Sequence, residues 1–317
     1  MNIVLLESLA IPQDVLSAYA ARLESQGHTF RAYERSGDEN VLIEEAKEAD
    51  IIMLANMPLK GSVIRACRNL KFINIAFTGV DHVDLEAAKE MNVAVSNASG
   101  YSNESVAELT LGMAIDCLRN VEAVAARCRA QGTKDGLVGR ELAGKTVGIV
   151  GCGKIGVRAA ELFHAFGCKI LAYRVSAKVA KPDYVEAVSL EEVLEQSDIV
   201  SLHCPLNESS KGLMNKERIA MMKEGAILLN TARGPVVDSQ ALADALNNGH
   251  LSAAAVDVFE MEPPVPAEHP LLDAKNCLVT PHIAFATKES MLLRAEIVFD
   301  SLDTFLAGGQ KNVILAR

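Results

Sequence analysis

Residues 146–163 read TVGIVGCGKIGVRAAELF: a β-rich run, a glycine turn and an amphipathic helical pattern in immediate succession. No other feature restricts the fold of this chain as strongly. Gly151 permits a tight turn. Gly153 lets the backbone approach a pyrophosphate, and Gly156 lets helix and strand close up, so that the helix N-terminus faces the phosphates. GxGxxG by itself is a weak signal, but a strand before it and a helix after it are the context the motif requires. The run predicts a dinucleotide-binding βαβ unit. It begins near the middle of the 317-residue chain, so a complete α/β unit precedes it.

The rest of the chain fits that frame. Apolar runs at NIVLL, TFRAY, DIIML, LKFINIA and VAVSN alternate with helical patterns across the first hundred residues. Strand, helix, strand in this order implies parallel pairing. A second series runs through KTVGIVG, KILAY, DIVSLH, AILLN, AAAVDVF and CLVTP. The stretch from Ser102 to Gln131 reads as one long helix, with Ser102 or Asn103 as its N-cap. Thr287 to Leu306 reads as another, returning to the first domain. The fold class expected is α/β: two Rossmann-like or flavodoxin-like, doubly wound parallel-sheet domains with a cleft between them. The domains expected are 1–100 with 287–317, and 101–286, with hinge crossings near Gly100 and Ala286.

Composition excludes several classes. The net charge is −10 with no Lys/Arg run, which argues against nucleic acid as a partner, because phosphate binding needs a basic face. No stretch approaches the roughly 20 apolar residues of a membrane span. The start, MNIVLLESLA, lacks a basic leader and reads as a first strand. Seven cysteines without a CxxC pair read as free thiols in a reducing compartment, so the protein is expected in the cytoplasm.

Three further segments sit just past strand ends, where open parallel sheets bind ligands. NTARGPVVD carries Arg233, whose guanidinium can clamp a carboxylate through two parallel hydrogen bonds. DVFEMEPP carries Asp257, Glu260 and Glu262, and LVTPHIAFAT carries His282. Taken singly, these are a structural ion pair, a solvated acidic loop and a satisfied histidine. Taken together, they supply what hydride transfer at a 2-oxo acid needs: a cation for the carboxylate, an acid/base for the carbonyl oxygen, and a carboxylate that favours the imidazolium.

With GCGKIG, HCPL, NTARGPVVD, DVFEMEPP and TPHIA in this order, nearly the whole chain resembles the D-isomer-specific 2-hydroxyacid dehydrogenase family. The resemblance implies a substrate domain built from both chain ends, a central nucleotide domain, and a homodimer formed through the nucleotide domain. It implies that Arg233 binds the substrate carboxylate and carbonyl, that His282 is the general acid/base, and that Glu262 pairs with His282. Backbone groups at Gly79 and Val80 are expected to hold the carboxylate from the opposite wall of the cleft. Gly151, Gly153, Lys154, Ile155, Gly156, Cys204, Pro205, Thr231 and Ala232 are expected to contact the cofactor, and Asp257 to position the nicotinamide carboxamide. ASGYSNESVAE and PHIAFATKES look most like the hydroxypyruvate reductase, or glycerate dehydrogenase, branch, with glyoxylate as a second substrate. LANMPLKG lacks the arginine of phosphoglycerate-using relatives, and no regulatory extension follows Arg317. Both weaken D-3-phosphoglycerate oxidation as the alternative. The glutamate at 262 argues against formate dehydrogenase. Dinucleotide-sensing corepressors share the fold and the trio but carry extra tails.

One slot departs from the family. The strand after the glycine run usually ends in an acid that holds the ribose hydroxyls of NAD. Here it ends in Arg174, with Ser176 and Lys178 close behind. An arginine pairs with a 2′-phosphate where an aspartate repels it, so NADP is expected in preference to NAD. The alternative is that Arg174 only stacks on adenine and NAD still binds.

Overall fold

The computed structural model describes residues 1–173, 180 and 182–316. Arg174, Ser176 and Lys178, on which the NADP expectation rests, lie outside the described residues. The chain divides into two compact units, Met1–Ser102 with Ala286–Arg317, and Asn103–Phe285.

The first unit holds strands β1 (Asn2–Leu5), β2 (Thr29–Ala32), β3 (Ile51–Leu54), β4 (Phe72–Ile75) and β5 (Ala94–Asn97). Between them lie helices α1 (Gln13–Ser25), α2 (Glu39–Ala46), α3 (Gly61–Ala66) and α4 (Leu85–Glu90). The parallel order β2-β1-β3-β4-β5 is flavodoxin-like. All four residues of β3, β4 and β5 are buried, as expected of strands covered on both faces. Asp38 and Asp84 cap α2 and α4 by accepting from Asn40 N and Ala87 N. The last helix of the chain, α11 (Lys288–Leu306), packs in this unit. Its Phe299 stacks on Tyr19 at 3.8 Å, its Phe305 stacks on Phe72 at 4.2 Å, and the Val298 carbonyl accepts from Asn74 Nδ2. Strand β13 (Val313–Leu315) then adds an antiparallel edge to β5. The sequence pattern did not reveal this edge, because a three-residue strand carries too little periodicity.

The second unit opens with α5 (Asn103–Arg119) and α6 (Val121–Arg129). The single long helix expected here is broken at Asn120, which takes a left-handed conformation with φ 53°. Asparagine is one of the few residues that tolerates this, and its Nδ2 donates to the Leu137 carbonyl. Strands β6 (Thr146–Val150), β7 (Lys169–Tyr173), β8 (Val185–Ala187), β9 (Ile199–Leu202), β10 (Ala226–Asn230), β11 (Leu251–Val256) and β12 (Cys277–Val279) follow. The helices among them are α7 (Lys154–Ala165), α8 (Leu190–Gln196), α9 (Lys216–Met221) and α10 (Ser239–Asn247). All seven strands are parallel, in the order β12-β11-β10-β9-β6-β7-β8.

Alternate residues of this sheet enter two apolar layers. Ile227 and Leu229 of β10 join Met113, Leu118 and Phe163 on one face, while Leu228 and Ala226 join Leu194, Ile219 and Leu242 on the other. The period of two is the pleat of the strand read out as packing. Phe163 is fully buried, so truncating it to alanine costs about 3–5 kcal/mol. Among the described residues no helix is long and apolar enough to cross a membrane.

Candidate active site

In the second unit the strand order reverses between β6 and β9, which makes their C-terminal ends the switch point where such sheets bind ligands. The glycine run leaves β6 there. Gly151 has φ +96°, and a Cβ on it would strike the backbone of His203 and Cys204 at the end of β9. A Cβ on Gly156 would strike the Gly151 carbonyl. Gly153 differs: a Cβ there would meet open space, at the N-cap of α7, where no side chain caps the helix. Two glycines are thus required by packing, and the third borders an open cradle at a helix N-terminus. That combination fits a dinucleotide pyrophosphate. Cys204 is buried, and burial pushes its thiol up to about 11, so it stays protonated at neutral pH.

At the end of β10, the buried Asn230 builds the turn that presents Arg233. Its Nδ2 donates to the Arg233 carbonyl and its Oδ1 accepts from Ala232 N. Arg233 Nη1 donates to the Ala232 carbonyl at 2.7 Å. Thr231 Oγ1 lies 3.0 Å from Thr110 Oγ1 on α5. Thr110 gives its own proton to the Val106 carbonyl, so Thr231 is the donor of that pair. Gly234 has no room for a side chain, because a Cβ would overlap the Phe259 backbone. The Arg233 loop is therefore pressed directly against the segment that follows β11.

That segment starts at Asp257, which is fully buried. Its Oδ1 accepts from Thr280 Oγ1 at 2.5 Å and Ile283 N at 2.8 Å, and its Oδ2 accepts from Ala284 N at 2.8 Å. Its backbone carbonyl takes His282 N at 2.8 Å. Burial raises the Asp257 carboxyl above its ordinary range, against these hydrogen bonds and the nearby His282. His282 has φ +57°, a left-handed conformation uncommon for a residue other than glycine. The four bonds to Asp257 hold the turn that keeps it there. Asp257 therefore shapes the His282 turn, which its position in the sequence did not reveal.

His282 Nδ1 lies 3.0 Å from both Glu262 oxygens. An ionised carboxylate only accepts, so Nδ1 carries the proton of the neutral ring, and Nε2 is the nitrogen able to exchange one with a ligand. The ring meets Phe285 edge-on at 5.1 Å, and its side chain is 11% exposed against 38% for Glu262. The second unit thus brings together Arg233, Glu262, His282 and Asp257 with the glycine run, all beyond the C-terminal ends of parallel strands. Lys154 and Ile155 open α7, Cys204 and Pro205 follow β9, and Thr231 and Ala232 follow β10. Gly79 and Val80 belong to the first unit, beyond β4, in a segment tied down by Asn97 Nδ2 on the Thr78 carbonyl. Among the described residues no His/Cys/Asp/Glu group is arranged to hold a metal ion.

The family model for the NAD binding domain of D-isomer specific 2-hydroxyacid dehydrogenases matches residues 111–284. The chain belongs to this family. A hydroxypyruvate reductase from Blautia hydrogenotrophica is 36% identical over 302 residues, which span 92% of this chain and 93% of that protein. A glyoxylate reductase from Thermofilum pendens is 37% identical over 308 residues, spanning 94% and 90%. In structure, the TT0316 protein from Thermus thermophilus matches with a TM-score of 0.87 at 34% identity, over 99% of this chain and 100% of that one. As a D-2-hydroxyacid dehydrogenase, the protein is an oxidoreductase acting on 2-hydroxy acids with a nicotinamide cofactor.

Proposed function

We propose that this dehydrogenase reduces hydroxypyruvate to D-glycerate, with glyoxylate to glycolate as a second activity, and that it prefers NADPH. The observation that carries the reading is the His282–Glu262 pair at 3.0 Å, in the same unit as Arg233 and the glycine cradle. The hydroxypyruvate and glyoxylate reductases among its relatives support the substrate class.

The first unit is the substrate domain in this reading, and the second is the dinucleotide domain. When bound, the reduced nicotinamide supplies the hydride. Arg233 holds the substrate carboxylate and polarises the carbonyl, and backbone groups at Gly79 and Val80 hold the carboxylate as well. His282 gives the Nε2 proton to the carbonyl oxygen as that oxygen gains charge, and takes it back in the oxidative direction. Glu262 stabilises the imidazolium and fixes the tautomer, much as a carboxylate does for a catalytic histidine elsewhere. Asp257 orders the His282 turn and has lone-pair capacity remaining at Oδ2 for the carboxamide. Gly151, Gly153, Lys154, Ile155 and Gly156 cradle the pyrophosphate. Cys204, Pro205, Thr231 and Ala232 line the nicotinamide side, and Arg174 with Ser176 reads the 2′-phosphate.

A homodimer through the nucleotide domain is part of the same proposal. No residue of α6 is buried, and Val121 and Val138 are 49% and 78% exposed, so this side of the nucleotide domain offers apolar side chains to a second copy. The seven free thiols favour a cytoplasmic location.

Initial rates of NADPH and NADH oxidation with saturating hydroxypyruvate test the reading. A higher kcat/KM with NADPH, reversed in Arg174→Asp, supports it. Preference for NADH in the native chain removes the 2′-phosphate role. No rate with hydroxypyruvate or glyoxylate, but turnover of phosphohydroxypyruvate or a bulkier oxo acid, moves the substrate assignment.

A further inference from the structure

Glu262 acts only where its backbone puts it, and that backbone is irregular. Residues 257–276 join β11 to β12 without a helix or strand. Up to Asp257 the segment is tied by the bonds to Thr280, Ile283 and Ala284. Phe259 is buried and lies against Gly234. The next residue, Glu260, carries a second set of ties. Ser239 Oγ, on the first residue of α10, donates to its Oε1 at 2.5 Å. His269 Nε2 lies 2.9 Å from its Oε2. Burial pushes the Glu260 carboxyl up, yet these two hydrogen bonds hold it below its usual range, so it is ionised at neutral pH.

The His269 ring is fully committed. Its Nδ1 faces the Leu271 N–H at 3.4 Å, and Phe259 meets it edge-on at 5.0 Å. With Nδ1 accepting, the proton is on Nε2 and points at Glu260, so a neutral imidazole satisfies both partners. Its side chain is 7% exposed. Ser239 stands six residues after Arg233 on the helix that the Arg233 loop enters, and Glu260 stands two residues before Glu262.

We propose that Glu260, clamped by Ser239 and His269, is the positioning residue that sets Glu262 against His282 at a fixed distance from the Arg233 loop. The inference rests on the catalytic reading given above for His282 and Glu262. Among the described residues Glu262 and Asp257 lie beside His282, and Ser239 and His269 face Glu260. The clamp joins the two loops a second time, beside the glycine contact at Gly234. Losing it frees the last anchored residue before Glu262, and catalysis is sensitive to displacements of about 1 Å.

Three variants of the full chain separate this role from plain stability. Glu260→Ala removes both bonds. Ser239→Ala removes one. Glu260→Gln keeps an acceptor for Ser239 but offers an N–H to His269 Nε2, which already carries the proton. The expected result is a kcat loss of about tenfold or more in Glu260→Ala and a smaller loss in the other two, with the KM for NADPH within about twofold of wild type. If Glu260→Ala does not fold, the single-bond variants carry the test. A lower Tm with unchanged kcat overturns the proposal, since a stabilising bond would do that. A readout without turnover keeps this failure apart from failure of the catalytic reading. In NMR spectra of the His282 ring, Glu260→Ala shifts the ring resonances in the same direction as Glu262→Gln. Unchanged resonances overturn the clamp whatever the substrate proves to be.

Discussion

Two histidine–glutamate pairs lie within 23 residues of sequence, His282 with Glu262 and His269 with Glu260. Their distances are nearly equal, 3.0 and 2.9 Å. They differ in which ring nitrogen is used. Glu262 takes Nδ1 of His282, so Nε2 is turned away from the carboxylate. Glu260 takes Nε2 of His269, and the Leu271 N–H covers Nδ1. The first arrangement can pass a proton to a ligand while keeping its carboxylate. The second can do so only by giving up a partner. A His–Glu pair is therefore not a catalytic signature in itself; the nitrogen that the carboxylate does not take decides.

The comparison breaks most visibly at His282. Replacing it with glutamine removes the proton donor, and kcat for reduction falls by about 10²–10⁴-fold, with coenzyme binding, followed by nicotinamide fluorescence, intact. His269→Gln leaves a proton donor at 282, and its effect on kcat stays far smaller. Comparable losses in the two variants would mean that the choice of ring nitrogen is not what separates the pairs.

Glu262→Gln sharpens the contrast. The amide cannot stabilise the imidazolium, so kcat falls by about 10²-fold. Coenzyme binding stays intact, because the amide leaves the glycine cradle untouched. A kcat within about twofold of wild type would show that Glu262 does not act through His282.

Much of this was legible in the residues. Strands such as AILLN and DIIML are continuous apolar runs because both faces of a parallel sheet are covered. The glycine run and the Arg233, Glu262 and His282 segments stand out because each combines a strand end with a chemically unusual residue. Other parts depend on contacts between distant residues. The helix break at Asn120 follows from one left-handed asparagine inside an otherwise helical pattern. Strands β8 and β13 have three residues each, too few for a period to register. Ser239, Glu260 and His269 carry no common motif, and the packing of Gly234 on Phe259 together with the Ser239–Glu260 bond brings their segments together. Asp257 was legible as an acid at a strand end, but its bonds to the amides beside His282 required the turn itself.

A third histidine supplies the baseline for both pairs. His203 has no carboxylate partner among the described residues. Its Nε2 lies 2.8 Å from Ser201 Oγ, and its buried Nδ1 has no hydrogen-bond partner among them either. Burial pushes it down from 6.5 to about 4. Between those two values the unfolded chain binds a proton at His203 that the folded chain does not. Stability therefore falls as pH is lowered through that window, and the loss is complete below the folded value. It amounts to up to about 3 kcal/mol, at roughly 1.36 kcal/mol per pKa unit. His203→Gln keeps a polar group beside Ser201 without titrating. Its denaturation midpoint should drop less than that of wild type between about pH 7 and pH 4.5, although it starts lower at neutral pH. Equal acid sensitivity in the two chains would mean that the folded protein accommodates a charged His203, and that burial without a carboxylate is not what separates this ring from the other two.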